Sequence, residues 1–294
     1  MRALLSLLLT AAPAAAEVPA VVTDILPVQS LVASVMGDLG TPVHLVTGGD
    51  AHSVQLRPSE ARTLSKADIL VWIGAELTPW LDDARGALAP NAVSLALLDA
   101  PGTAERAPMF GDAGDEHGDH DHGHHHDHDP HAWLDPQNAM AWAPLIAGAL
   151  AEADPDNAAT YRANADALVA GLETLTSDMA GLLDPGDLSP MIVQHDAYAH
   201  LAARFDLPIV ASVADSEAAA PGGASVSALA DLVASGGAGC VVTEAGGNDS
   251  IARRLAGSDI PVVEIDPLGL RQMPGPDGYA ETLRALAAEL ARCG

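Results

Sequence analysis

Short apolar runs alternate with segments of helical composition along most of this chain, and that alternation limits the possible folds more than any other feature. Pro27, Pro58 and Pro79 stand where the first turn of a following helix is expected. Strands separated by helices pair in parallel and carry helices on both faces of the sheet. The predicted fold class is therefore α/β, with two parallel-sheet lobes and flanking helices. The predicted strands lie at 20–25, 43–46, 69–73 and 93–98 in the first lobe and at 191–194, 208–212, 240–243 and 262–265 in the second.

A longer helical segment at 156–183 separates the two sets of strands. A narrow apolar stripe of this kind fits one long helix that packs against its neighbours, whereas a coiled coil with another chain is the weaker interpretation. We expect a rigid linking helix within 151–187, between an N-terminal lobe at 17–150 and a C-terminal lobe at 188–294. The stripe consists of Tyr161, Ala165, Leu168, Leu172, Leu175, Met179 and Leu182.

The first sixteen residues have the composition of a secretory signal peptide. Arg2 is followed by an apolar run at 3–12 and by alanines at 14–16, which form a small-residue cleavage site. The apolar run is too short to span a bilayer. We expect cleavage after about Ala16 and an exported protein with no direct insertion into the membrane.

The formal net charge of the chain is −27 at neutral pH. A charge of this size repels nucleic acid and anionic membrane surfaces and attracts cations. We therefore exclude nucleic acid as a partner and expect cationic ligands.

The segment 111–129 contains seven histidines and seven carboxylates, and no apolar side chain larger than alanine. Such a run cannot bury enough surface to offset the entropy of ordering, so we expect a mobile loop. An acidic linker would need no histidine, whereas imidazoles mixed with carboxylates bind divalent metals with low selectivity. We expect secondary, weak metal sites at His117, His120, His122, His124, His125, His126 and His128.

His131 follows this loop directly and differs from it, because Trp133 and Leu134 can anchor the chain beside it. Further polar candidates lie at or beyond the ends of predicted strands, where ligands bind in open α/β sheets. They are His52, His195, Glu244 and Asp266. Three imidazoles and a carboxylate make a four-coordinate site that suits Zn²⁺. His44 and His200, on a strand and a helix face, are expected to have no role in the site.

The chain has two cysteines, Cys240 and Cys293. In an oxidising compartment they either form a disulfide or remain as two buried thiols. No Cys-x-x-Cys motif is present, so redox catalysis is not expected.

Four segments carry a resemblance to a known family. They read AH at 51–52 with LRPS at 56–59, DPHAWLDP at 129–136, HDAY at 195–198 and IDPLG at 265–269. Together they resemble the ZnuA-type zinc-binding proteins, the metal-receptor class of ABC-transporter solute-binding proteins. The resemblance covers essentially the whole mature chain and includes the acidic histidine-rich loop.

The resemblance implies a periplasmic protein in which metal binds in the cleft between two lobes joined by a long rigid helix. It implies delivery of Zn²⁺ to a membrane permease that is powered by a cytoplasmic ATPase. Periplasmic zinc chaperones are left open as a further class of partner, and the expected state is a monomer. Cys240 and Cys293 match positions where members of the family carry a disulfide.

The resemblance also implies a ligand set of His52, His131, His195 and the C-lobe carboxylate Asp266. Manganese-binding relatives have a carboxylate in place of His195, and a third imidazole favours zinc over the harder manganese ion. Several members have glutamate directly before the first histidine, where this chain has Ala51. That difference leaves Asp266, a water or Glu244 to complete the coordination.

Two other functions compete with a zinc carrier. A secreted zinc hydrolase would need an open coordination position and a carboxylate base. The sequence contains neither His-Glu-x-x-His nor Gly-x-Ser-x-Gly, so an enzyme is not expected. A passive metal buffer, in which the histidine-rich loop is the whole function, is the other alternative.

Overall fold

The computed structural model describes residues 18–110, 128–214 and 222–294. The predicted signal peptide and six of the seven loop histidines, all except His128, lie outside these residues. The first lobe comprises β1 (Val21–Thr23), α1 (Leu26–Met36), β2 (Val43–His44), α2 (Pro58–Leu64), β3 (Ile69–Trp72), α3 (Pro79–Leu88) and β4 (Val93–Ala96). Its strands are all parallel, in the order β2-β1-β3-β4, and Val22 of β1 pairs with Val43 on one side and Leu70 on the other.

Two helices, α4 (Pro136–Ala153) and α5 (Ala158–Leu182), lead to the second lobe. That lobe has a second parallel sheet in the order β6-β5-β7-β8. The prediction of an α/β fold with two parallel sheets and flanking helices is confirmed. The elements of the second lobe are β5 (Met191–His195), α6 (Ala199–Phe205), β6 (Ile209–Ala214), α7 (Gly223–Ala234), β7 (Cys240–Glu244), α8 (Ser250–Ala256), β8 (Val262–Ile265) and α9 (Gly278–Leu290).

Helix α5 packs against α4, α1 and α9, and most of its predicted stripe faces these neighbours. Tyr161, Leu175 and Met179 are fully buried on it. The prediction for Leu182 is wrong, because this side chain is 44% exposed. The helix ends at Leu182, and Leu183 turns into the core in its place.

The ends of three strands differ from the prediction in ways that affect the candidate site. β5 and β7 are each one residue longer than expected, so His195 and Glu244 are their last residues rather than the residues after them. β2 ends at His44, well before His52. The predicted strand at 43–46 is therefore two residues too long, and His52 lies on a 3₁₀ turn after the expected turn at Gly48 and Gly49, both of which have positive φ.

The two lobes are connected by buried hydrogen bonds near the cleft. The indole N–H of Trp133 donates to the Pro267 carbonyl at 2.9 Å, and the Tyr279 hydroxyl donates to the Trp133 carbonyl at 2.7 Å. The backbone N–H of Tyr279 donates to the Ser30 hydroxyl of α1. These contacts fix the segment around His131 against the second lobe.

The two cysteines form a disulfide in the structure, with their Cα atoms 5.5 Å apart. Both are buried, and the bond joins the start of β7 to the end of the chain. Within the described residues, no helix is both long and apolar enough to cross a membrane.

Asp24 follows β1 directly and is fully buried. Its carboxylate accepts hydrogen bonds from the backbone N–H groups of Ile25 and Ile73, each at 2.8 Å. Burial raises the pKa of Asp24 to about 7, although these two amides act in the opposite direction. Asp24 was not among the predicted site residues.

Candidate metal centre

The structure brings three of the predicted ligands, His52, His131 and His195, together between the lobes. The Nε2 atoms of His131 and His195 are 3.5 Å apart, and the ring centroids of these two histidines are 5.3 Å apart. The ring of His52 lies 5.5 Å from that of His131. All three line one cavity of about 10 Å³, close to the volume that a single water needs. His131 and His195 are buried, whereas His52 is half-buried.

His131 is oriented by Asp129, two residues before it. The Asp129 Oδ1 atom lies 2.6 Å from Nδ1 of His131 and also accepts the backbone N–H of His131. Its Oδ2 atom accepts the backbone N–H of Ala199 at 3.0 Å. Burial alone would raise the pKa of Asp129, but the nearby His131 and these hydrogen bonds lower it overall. An ionised carboxylate at Nδ1 requires a proton on that nitrogen.

His195 is oriented in the same way by Glu244. The Oε1 atom of Glu244 lies 2.7 Å from Nδ1 of His195 and accepts the hydroxyl of Tyr198 at 2.5 Å. Burial would raise the pKa of Glu244, but His195 and Tyr198 lower it overall. A carboxylate this close to Nδ1 of His195 favours a proton on that nitrogen, as Asp129 does for His131.

These two carboxylate contacts bear on what the facing Nε2 atoms of His131 and His195 can do. With each proton held on Nδ1, each Nε2 atom presents a lone pair. Two lone pairs at 3.5 Å repel one another unless a cation lies beside both. A carboxylate behind each imidazole is the arrangement that supports histidine ligands of zinc.

His52 is positioned through its backbone. The Asp50 carboxylate accepts the N–H of His52 at 2.8 Å, and the indole of Trp80 donates to the carbonyl of Ala51 at 2.8 Å. The backbone of this turn is therefore held by two contacts from the first lobe, and the imidazole of His52 is half-buried.

Asp266 does not line the cavity of the three histidines. Its two carboxylate oxygens accept the backbone N–H groups of Leu270 and Arg271, at 2.9 and 2.8 Å. It lies instead on a neighbouring cavity of about 180 Å³, together with Asp50 and Glu244. Glu244 is the carboxylate that lines both cavities.

Across residues 18–110, 128–214 and 222–294, no three His, Cys, Asp or Glu side chains stand close enough together, as placed here, to hold a metal ion. The facing pair of His131 and His195 is the most nearly assembled part of the predicted ligand set.

A second group of polar contacts holds the segment of His131 against α6. Nε2 of His200 donates to the Asp129 carbonyl at 2.9 Å, and Nδ1 accepts from Asn138. Arg204 makes two hydrogen bonds to the Asp135 carboxylate. His200 was expected to have no site role on a helix face; it is fully buried, and burial lowers its pKa. His200 is thus a packing residue beside the site.

Asp129 and Tyr198 were not predicted to be functional residues. Asp129 had a readable signal, since an aspartate two residues before His131 suits a side-chain-to-backbone turn. Tyr198 was noted only as the last residue of the HDAY segment, which carries the family resemblance but indicates no role for its hydroxyl. His128, the one described histidine of the loop, is exposed and lines a separate cavity of about 180 Å³ with Glu76, Asp99 and Glu105.

Comparisons with known proteins identify the family. The model of the family "ZnuA: Zinc-uptake complex component A periplasmic" matches residues 21–293. The chain is 43% identical to the high-affinity zinc uptake system protein ZnuA of Paracoccus denitrificans, over 96% of this chain and 94% of that protein. It is 35% identical to the Brucella abortus protein of the same name, over 95% and 92% of the two chains.

Solved structures give the same result. A crystal structure of ZnuA superposes with a TM-score of 0.76 at 27% identity, covering 94% of this chain and 98% of that one. A zinc-bound ZnuA deletion mutant, lacking its residues 138-173, superposes with a TM-score of 0.76 at 26% identity, over 93% and 96% of the two chains.

Proposed function

The chain belongs to the ZnuA family of periplasmic zinc-uptake components, and we propose that His52, His131 and His195 hold the Zn²⁺ ion that it carries. Proteins of this family are solute-binding proteins and not enzymes. The protein binds zinc and delivers it to an ABC transporter, so a membrane permease is its partner.

The observation that carries the ligand assignment is the pair of Nε2 atoms 3.5 Å apart, each on an imidazole whose other nitrogen faces a buried carboxylate. Zn²⁺ accepts neutral imidazole nitrogens in a tetrahedral arrangement. An ion beside His131 and His195 would remove the repulsion between their lone pairs. His52 completes the three by movement of its half-buried side chain.

Asp266 remains the candidate for the fourth ligand, with a water as the alternative. To bind the ion, Asp266 must give up an amide contact to Leu270 or Arg271, since both of its oxygens are engaged. Glu244 supports His195 and is not a ligand in this proposal. The fourth ligand of the zinc ion is therefore the least closely defined part of the proposed site.

Several finer proposals accompany this function. We propose cleavage of the signal peptide after about Ala16, a monomeric protein, and a division into lobes at 151–187. We also propose weak secondary metal sites on the histidine-rich loop and periplasmic zinc chaperones as further partners. The net charge of −27 supports a role of the surface in attracting cations.

Competition between the protein and a zinc chelator tests the ligands. His131→Ala and His195→Ala should each weaken zinc binding by more than the roughly tenfold to hundredfold typical of losing a residue behind a ligand. His44→Ala is the matched control, since His44 is a half-buried histidine on β2 outside the site. Zinc affinity that is unchanged in His131→Ala would refute the assignment.

A further inference from the structure

We propose that Tyr198 sets the metal specificity of this site by holding Glu244 on His195 and away from the ion. The inference rests on the proposed ligand set and adds a residue that does not touch the metal. Tyr198 is a positioning residue in this account, and Glu244 is the group it positions.

The contacts of Glu244 fix its backbone and leave the direction of its carboxylate to be set by neighbouring groups. Its backbone N–H donates to the Gln194 side-chain oxygen at 3.0 Å. The Gln194 side chain packs directly against Gly247: a Cβ atom at that glycine would lie only 2.1 Å from Nε2 of Gln194. The backbone of Glu244 is therefore fixed, and the direction of its carboxylate depends on the two groups that contact Oε1, namely Nδ1 of His195 and the hydroxyl of Tyr198.

Tyr198 is well placed to control that direction. It is 2% exposed, and its ring centroid lies 6.2 Å from that of His195. Its carbonyl accepts the N–H of Ala202, which fixes its backbone at the start of α6. Its hydroxyl donates to Oε1 of Glu244 at 2.5 Å, and a hydrogen bond to an ionised acceptor is among the stronger ones in proteins.

Release of Glu244 would change the chemistry of the site. Glu244 lines the same cavity as the three histidines, so a rotated carboxylate would face the ion directly. A carboxylate is a hard, anionic ligand that suits manganese, whereas imidazole suits zinc. The hydroxyl of Tyr198 therefore keeps the site rich in nitrogen ligands and selective for zinc.

Tyr198→Phe removes that hydroxyl and little else. We expect the ratio of Mn²⁺ affinity to Zn²⁺ affinity, each measured by chelator competition, to rise roughly tenfold, the equivalent of losing one hydrogen bond to a charged group. The visible absorption of the Co²⁺-loaded protein should weaken as an extra oxygen ligand raises the coordination number. Tyr161→Phe is the matched control, because it deletes a buried hydroxyl bonded to Asp154, away from the site.

A second pair of variants separates this effect from a loss of structure. In a Glu244→Gln background, Tyr198→Phe should leave the affinity ratio unchanged, because no carboxylate remains to be released. A general loosening of the fold would instead weaken both metals, and a ratio that does not rise in Tyr198→Phe overturns the inference. An equal rise in the Glu244→Gln background also overturns it.

Different results would refute the proposed ligand set and the proposed role of Tyr198. If His131→Ala binds zinc as well as the wild type, the ligand set itself is wrong. If His131→Ala loses zinc but Tyr198→Phe leaves the affinity ratio unchanged, only the role of Tyr198 is refuted.

Discussion

Asp129→Asn is the change that most directly tests how the site is held in its binding form. The carboxylate of Asp129 accepts two hydrogen bonds from His131 on one oxygen and one from the Ala199 amide on the other. An asparagine has only one oxygen. If it keeps that oxygen towards His131, its NH₂ group meets the N–H of Ala199; if it turns over, its NH₂ group meets Nδ1 of His131.

The second orientation inverts the tautomer of His131. An NH₂ group facing Nδ1 requires a lone pair there and moves the proton to Nε2, the nitrogen that should bind zinc. The first orientation keeps the tautomer but leaves two donors facing each other and removes the negative charge that makes the imidazole more basic. We expect zinc affinity to fall by roughly tenfold to hundredfold, equivalent to about 1.4 to 2.8 kcal/mol.

Chelator competition at fixed pH measures this loss, and thermal unfolding without zinc measures the accompanying loss of stability. Asp154→Asn is the matched control: Asp154 is also fully buried and hydrogen-bonded, but to Asn157 and Tyr161 at the start of α5. The control should lower the melting temperature without changing zinc affinity. If Asp129→Asn binds zinc as tightly as the wild type, the argument from tautomers is refuted.

Three further outcomes are expected. Urea unfolding should show the free energy of unfolding of the wild type falling by roughly 4 kcal/mol, relative to that of Asp24→Asn, between pH 4 and pH 8. The reason is that the folded protein keeps a proton on Asp24 (pKa about 7) that the unfolded chain (pKa 3.8) has already lost, and a difference that stays constant with pH would contradict this. Replacing Cys240 and Cys293 by serine should lower the free energy of unfolding by roughly 4 kcal/mol, the chain-entropy value for a disulfide with a sequence separation of 53, and leave zinc affinity unchanged. Two free, alkylatable thiols in the native wild type would show that no disulfide forms. Calorimetry on a protein that lacks residues 112–128 should show one tight zinc site and none of the weaker ones, since preorganised ligands bind more tightly than ligands that become ordered on binding. Loss of the tight site would mean that the loop holds the metal.

The fold could be predicted from sequence because its signal is local and repeated. Each buried strand is a short apolar run, and the helices between strands force parallel pairing. The end of β5 illustrates how this positions the site: Met191 to Val193 are buried, and the first imidazole after them, His195, lies at the edge where ligands bind. The position of His195 therefore follows from a strand end and that of His131 from its motif, whereas His52 lies on a turn well beyond β2.

The groups behind the histidines could not be predicted with the same ease. Glu244 reaches His195 only because β7 pairs with β5, and the choice between Glu244 and Asp266 depends on which carboxylate the loop amides engage. That choice is a matter of side-chain direction, to which apolar patterning is insensitive. Asp24 shows the same limit, since a charged residue at the end of an apolar run gives no indication that two backbone amides will bury it.

The shared strand order of the two sheets has a consequence for how many ions the cleft between the lobes can hold. Each sheet has a topological switch point, between β1 and β3 and between β5 and β7, where successive connections leave in opposite directions and a crevice opens. In the second lobe, His195 and Glu244 end the two strands that flank this crevice. In the first lobe, the carboxylate of Asp24 fills the equivalent place by bonding to the amide of Ile73. The crevice of the second lobe is therefore the one that carries candidate ligands, and we expect the cleft between the lobes to hold a single zinc ion.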